Sequence, residues 1–387
     1  MKWLLQVSRF FVGGLFIFSG AIKINDPVGT AIKLEEYFEV FASDIASFFE
    51  IFVPLALPLA VFLCVLEVVL GIAVLLNYRV KITYWLLLII IVFFTFLTFY
   101  SAYFDKVTDC GCFGDAIKLT PWESFIKDII LTIFIAFLFL KRNLVASESE
   151  ESRTRDIIIG GATALSLFIG IYAIRHLPFI DFRAYKVGNN LPELMEPSGE
   201  LKYEYVMEKD GKEHRMEQYP TDKSYTFKEM VILNPEVQPK ITDYAVWNDD
   251  GDFTQETFTG NKLFVITYNV EKVNKEHFSE INTLISQLSG QVDTWALTAS
   301  DPTSFEAFRH EVQLAVPYYY SDATVLKTII RSNPGLLLVK DGVVKGKWHF
   351  NDVPTAYEVQ RDEGDILKTM GVVGAEGLGI GVQQHSN

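Results

Sequence analysis

Cysteine is almost missing from this chain: there are three in 387 residues, Cys64, Cys110 and Cys112, and none follows Cys112. A multi-disulfide scaffold is therefore excluded, and everything downstream has to fold on its own apolar core. Basic charge is also short, with 34 Lys and Arg against 48 Asp and Glu, a net charge of −14. A nucleic-acid partner is excluded with it, because that function needs a basic footprint. Histidine is scarce, and His277, His310 and His349 fall on unrelated elements, so no metal site is expected.

What is abundant is apolar side chain, half of the residues, and it is unevenly spread. Up to about residue 174 long greasy runs dominate; beyond it the composition is that of an acidic, water-soluble protein. A spanning helix needs about 20 mostly apolar residues. Five segments qualify: 3–24, 51–76, 82–103, 125–140 and 157–174. The first lacks a strongly basic start and a small-x-small cleavage site, so it reads as a retained helix and not a signal peptide.

Lys and Arg orient the helices. Arg79 and Lys81 lie in one short connection, and Lys141, Arg142, Arg153 and Arg155 in another. Alternating helices put both on one side, which makes that side cytoplasmic. The N-terminus is then inside. The GTAIKLEEYFEVF loop, the DCGCFGD loop and everything after Arg175 lie outside, in a compartment where disulfides persist.

Cys110 and Cys112, one glycine apart, can close on each other only in a small strained ring. Strain makes a bond reducible, which points to a redox-active dithiol at the outer surface. A loop staple and a bridge to a partner protein are the competing readings. Cys64 lies about 13 residues into the second apolar run, roughly 20 Å below the surface, and reads as a small apolar filler remote from the pair. Glu67 lies deeper still, where an ionisable residue needs a partner or a purpose. Counting down the antiparallel first helix from residue 24 puts Arg9 at the same depth, so an Arg9–Glu67 pair is expected, structural or proton-handling. Lys23 and Asp26 fall at the outer boundary, as a snorkelling cation and a helix cap.

SGAIKINDPVGTAIKLEEYF after the first run, LEVVLGIAVLL in the second, and CGCFGD followed by PWESFIKD before the fourth resemble the DoxX/MauE-like family of bacterial membrane proteins, over residues 10–142. The resemblance implies a four-helix membrane bundle in the bacterial inner membrane. It also implies thiol–disulfide maturation of exported proteins or quinone-coupled oxidation of sulfur compounds. Carried over by position, it singles out Arg9, Lys23, Asp26, Glu67, Cys110, Cys112 and Asp128. A fifth helix and a large outer region depart from a minimal member of that family.

The expected organisation is a four-helix membrane domain over 1–142, a cytoplasmic linker over 143–156 and a fifth spanning helix over 157–175. A β-rich periplasmic segment over 176–259, an α/β domain over 260–355 and a glycine-rich tail over 356–387 follow. Asp-Gly turns and alternating strands mark the β-rich part. From KLFVITYNV onward the order is strand, helix, strand, helix, helix, hairpin, the hairpin turning on Asp341-Gly342. This stretch resembles the peroxiredoxin/thioredoxin superfamily over 261–350. The resemblance implies that Pro334 is a cis proline beside a peptide-docking surface. Where such a fold carries its thiols the chain reads YNVEKVNKEHF, without cysteine, so this domain cannot exchange thiols with its own residues.

Two functions remain. In one, Cys110 and Cys112 exchange with exported proteins while the outer domain docks them, and electrons leave through a quinone or another acceptor. In the other, the chain is a non-enzymatic scaffold of an envelope complex and the cysteines staple a loop. The missing second cysteine pair favours the scaffold; the exposed, glycine-flanked CGC favours redox chemistry.

Overall fold

The computed structural model describes residues 2–107, 111–147 and 152–360, and the chain divides after Arg183 into two compact units. Cys110 and the residues from 361 onward lie outside the described residues, and with them half of the expected dithiol and most of the expected tail.

The first unit is helical: α1 (Lys2–Asn25), α2 (Pro27–Asp44), α3 (Ala56–Leu75), α4 (Val80–Phe104), α5 (Pro121–Leu140), α6 (Arg142–Ser147) and α7 (Arg153–Arg175). Among the described residues, four helical stretches are long and apolar enough to cross a membrane: Lys2–Asn25, Ser47–Leu75, Val80–Phe104 and Arg153–Arg175. The expected span over 125–140 lies in α5, which also carries Glu123, Lys127 and Asp128. It packs into the same core through Leu131, Ile135 and Leu138. Phe62, Ile89, Ile133 and Phe168 remain exposed on the outward faces, as side chains turned to lipid do.

α2 was expected as a loop. Asp26 accepts from Gly29 N at 2.8 Å and Pro27 occupies the first turn, a helix start in both respects. Its buried Ala31, Leu34, Tyr37 and Phe41 recur at helical spacing, while Glu35, Glu36 and Glu39 lie on other faces. A short 3-10 segment, Ser47–Leu55, then precedes α3.

The two basic connections lie at one end of this unit. Tyr78, between α3 and α4, donates to Asp156 at the start of α7. At the other end, Asn25 exchanges two hydrogen bonds with the backbone of Ile180, at 2.8 and 3.0 Å.

The second unit begins with α8 (Leu191–Met195) and a three-stranded sheet of β1 (Tyr203–Lys209), β2 (Lys212–Met216) and β3 (Thr226–Ile232), in the order β2-β1-β3. Two short strands, β4 (Trp247–Asn248) and β5 (Gly251–Asp252), lead into β6 (Asn261–Thr267), α9 (Phe278–Leu288), β7 (Asp293–Thr298) and α10 (Pro302–Glu311). Then come β8 (Tyr318–Tyr320), α11 (Ala323–Ile329), β9 (Gly335–Lys340), β10 (Val343–His349) and α12 (Ala356–Gln360). The larger sheet runs β10-β9-β6-β7-β8-β4-β5, parallel from β6 through β8 and antiparallel at β9 and β10. Leu263 and Val265, two apart on β6, share a face and pack with Phe278, Ile281 and Leu284 of α9 and Phe305 and Phe308 of α10. β9 and β10 join through Asp341 and Gly342, both at positive φ, as the sequence predicts. β8 was not anticipated.

Candidate functional site

The site is set by how closely α1 approaches α3. A Cβ added at Gly71 would stand 2.7 Å from the Gly13 carbonyl oxygen, and one at Gly20 would stand 2.7 Å from Val68 Cγ2. The two backbones are in contact, an approach that only glycine permits. That contact fixes the register, and the register decides which polar side chains meet.

Glu67 meets Lys23. The ammonium is 2.5 Å from Glu67 Oε1 and 4.9 Å above the Phe94 ring, and the side chains are 9% and 3% exposed. The other carboxylate oxygen accepts from Ser19 Oγ at 2.9 Å. The expected Arg9–Glu67 pair does not form: Arg9 donates to the carbonyls of Val74 and Leu75 at 3.2 and 2.7 Å, closing the C-terminal end of α3. The depth count failed because the apolar run from residue 51 begins as the 3-10 segment and α3 starts only at Ala56. Gly20, not Arg9, is level with Glu67 and Val68. Lys23 accordingly is buried and does not snorkel.

The same shift overturns the isolation of Cys64. The loop carrying Cys112 tucks into the mouth of the bundle, where the Cys112 carbonyl accepts from Ser19 Oγ at 2.9 Å. Ser19 has one hydrogen and two acceptors, Glu67 and Cys112, so it donates to one of them at a time. Gly111 has φ +62, and a Cβ there would meet the Lys33 stem at 3.3 Å. Phe113, 8% exposed, stacks obliquely on Phe18 and anchors the turn.

From the opposite wall comes α5, started by a capping box in which Thr120 and Glu123 bond each other's backbone, with Pro121 after it. One turn on, Asp128 is 1% exposed and held by Thr98 Oγ1 at 3.0 Å and by Lys127 Nζ at 2.8 Å. The Lys127 ammonium also lies 5.2 Å from the Phe113 ring centre, beside the turn that carries Cys112.

Between these walls is a cavity of about 80 Å³, lined by both ion pairs, by Cys112 and by Cys64. Cys64 is fully buried, with its sulfur 3.9 Å from Thr30 Oγ1. Leu34, Phe94, Leu97 and Leu131 make the rest apolar. The structure thus gathers Lys23, Glu67, Cys112 and Asp128 around one space, leaves Asp26 as the cap of α2 and Arg9 as the cap of α3, and adds Ser19, Thr98 and Lys127. Lys127 was legible as a charge inside an apolar run, a position that demands a reason.

In the second unit the Asn333–Pro334 peptide is cis. Pro334 is buried with its neighbours. The Asn333 carbonyl accepts from Asn274 N at 2.9 Å, and Asn333 Nδ2 donates to Asn269 O at 2.7 Å. The loop before Pro334 is thus tied to the chain's own 269–274 segment.

Residues 1–141 match the family described as methylamine utilisation protein MauE. The chain is also 29% identical over 175 residues to the protein TlpB of Flavobacterium psychrophilum, covering 43% of this chain and 44% of that protein, less than half the relative's length. No solved structure matches. The apolar helices and the MauE match together make this a membrane protein.

Proposed function

We propose that this MauE-type membrane protein carries out thiol–disulfide redox chemistry on exported proteins at the outer face of a bacterial inner membrane, with Cys110 and Cys112 as its dithiol. The observation that carries the reading is the seat of Cys112: its carbonyl accepts from Ser19, and it lines one cavity with the buried Lys23–Glu67 pair and with Lys127 and Asp128. A loop that served only as a staple has no need of a charged chamber behind it, since buried ions cost several kcal/mol each before pairing. An outer position for the CGC loop is supported by the clustering of Arg79, Lys81, Arg153 and Arg155 at the opposite end of the bundle.

Oxidising two thiols to a disulfide releases two electrons and two protons, and an acceptor has to take them. The cavity suits a quinone ring: its walls are largely apolar, and Lys23 and Lys127 offer N–H donors for carbonyl oxygens. A quinone bound there would accept both electrons and both protons as it becomes the quinol. Glu67 and Asp128, each bonded to one of those lysines, complete the polar part of the cavity wall. The outer domain follows the strand and helix order of a thioredoxin-like fold and has the cis proline, but no thiol. We assign it to partner binding beside Pro334.

Differential alkylation before and after reductant in intact cells tests the reading. Cycling cysteines appear as a mixture of reduced and oxidised forms that shifts when Cys112→Ser is introduced, with mixed disulfides to exported proteins. A second reading, a non-enzymatic scaffold, draws on the absence of any cysteine after Cys112. It predicts a single unchanging redox form.

A further inference from the structure

We infer that Ser19 and Glu67 form a proton-operated latch on the turn that carries Cys112. The inference deepens the redox reading and rests on it for its biological use, while the latch itself stands on geometry.

Three oxygens make it. Ser19 Oγ stands 2.9 Å from Glu67 Oε2 and 2.9 Å from the Cys112 carbonyl oxygen. A carbonyl only accepts, an ionised carboxylate only accepts, and the hydroxyl has one hydrogen. Both contacts are hydrogen bonds at once only when a second hydrogen is present, and Glu67 is the member of the three that can carry it. With a proton on Oε2, Glu67 donates to Ser19 and Ser19 donates to the Cys112 carbonyl, so the turn is tied to α1. With Glu67 ionised, the carboxylate takes the Ser19 hydrogen, because a charged acceptor bonds about twice as strongly as a neutral one. The Cys112 carbonyl then loses its tie to α1. Only a proton moves between the two states, and no electron is gained or lost.

The surroundings of Glu67 fit this role. Its other oxygen, Oε1, faces the Lys23 ammonium at 2.5 Å and accepts from it in either state. The other titratable groups lining the cavity are Lys33 and Tyr37 from α2, Cys64 from α3, Lys127 and Asp128 from α5, and Cys112. Lys33 pairs with Glu36 at 3.0 Å, Lys127 pairs with Asp128 at 2.8 Å, and Tyr37 bonds Ser101 at 2.6 Å. Lys23 is thus the cation that meets Glu67. α4 lines the cavity with Thr98 and apolar side chains, and α7 packs beside Cys64 through Ile169. Thiol oxidation in the proposed reaction releases protons into this chamber. One taken up by Glu67 draws the turn back onto the bundle.

The test uses the full chain in detergent with Cys64→Ser and Cys110→Ser, so that Cys112 is the sole thiol, and measures its alkylation by iodoacetamide. The readout is the rate in Ser19→Ala divided by the rate in its Ser19 parent at the same pH, a ratio that removes the thiol's own ionisation. It is expected to be about fivefold at about pH 6, the net contribution of one hydrogen bond. It should fall towards one at about pH 9, as Glu67 loses its proton. In a Glu67→Gln background the side-chain amide donates to Ser19 as the protonated acid does, so the ratio stays about fivefold at both pH values. If Glu67→Gln alone does not fold, Lys23→Met combined with Glu67→Gln removes the stranded ammonium and gives the same reading. A ratio that is equal at both pH values in the parent, as a merely structural tie predicts, overturns the latch. So does a ratio that falls with pH in the Glu67→Gln background. A Cys112 locked in one redox form in cells, with the expected ratios in detergent, overturns the redox reading and leaves the latch standing.

Discussion

Lys23 and Glu67 form an ion pair 2.5 Å long within the helical bundle, and Ser19 ties the same carboxylate within 2.9 Å. Both side chains are almost fully buried, so each charge depends on the other. Removing one partner leaves the second stranded, which costs about 3–5 kcal/mol, whereas replacing both with apolar side chains is often neutral. Lys23→Met and Glu67→Leu are therefore each expected to lower the detergent melting temperature sharply, and the double variant to recover most of it. Equal, additive losses would place the two residues apart.

The α1–α3 crossing supplies a second expectation. In an isolated helix, Gly→Ala stabilises by about 1 kcal/mol. At Gly20 and Gly71 the new methyl meets backbone and side chain at 2.7 Å. Overpacking of that kind costs about 1–3 kcal/mol, so Gly71→Ala should melt lower than the parent. A higher melting point would mean that the helices are not in contact there.

How much of this was legible follows from which signals are local. The runs that became α1, α4 and α7 are long and apolar enough to be unmistakable, and Asp341-Gly342 is a turn by its own backbone preference. α2 was hidden because GTAIKLEEYFEVF is rich in charge, although Asp26, Pro27 and the spacing of Ala31, Leu34, Tyr37 and Phe41 mark an amphipathic helix. The partner of Glu67 was not legible, because depth was counted from residue 51, the start of a run whose first five residues, 51–55, belong to the 3-10 segment and are as greasy as the helix after them. Lys127 was visible as a charge inside an apolar run, but its place in one cavity lining with Cys112 follows only from the fold. The tie between the Pro334 loop and residues 269–274 is likewise a tertiary fact: nothing in YNVEKVNKEHF says that Asn274 donates to the Asn333 carbonyl.

Ser19 is the tether between bundle and loop. Ser19→Ala removes a net contribution of about 1 kcal/mol and frees the Cys112 carbonyl from α1. The expected result is a small loss of thermal stability with faster labelling of Cys112 by a membrane-impermeant thiol reagent. Unchanged labelling would mean that the loop is held elsewhere.

In the second unit, Asp301 caps α10, and the bonds it accepts from Ser304 hold its carboxyl below the usual carboxylate range. A folded value below the unfolded one means that the cap stabilises above the unfolded value, near pH ~4. That stability fades as pH falls through the folded value. The melting difference between the parent and Asp301→Ala should therefore be full at neutral pH and shrink on acidification below about pH 4. A difference that does not change with pH would contradict the ionised cap.

The central claim, that a redox-active sulfur is seated outside the membrane against a buried charged chamber, is tested most directly by trapping thiols in intact cells with a membrane-impermeant alkylating reagent. Cys112 should be labelled from outside, in a fraction that rises after brief reduction and returns when the reductant is removed. A Cys112 that labels only after the membrane is permeabilised, or never changes its redox form, would contradict it.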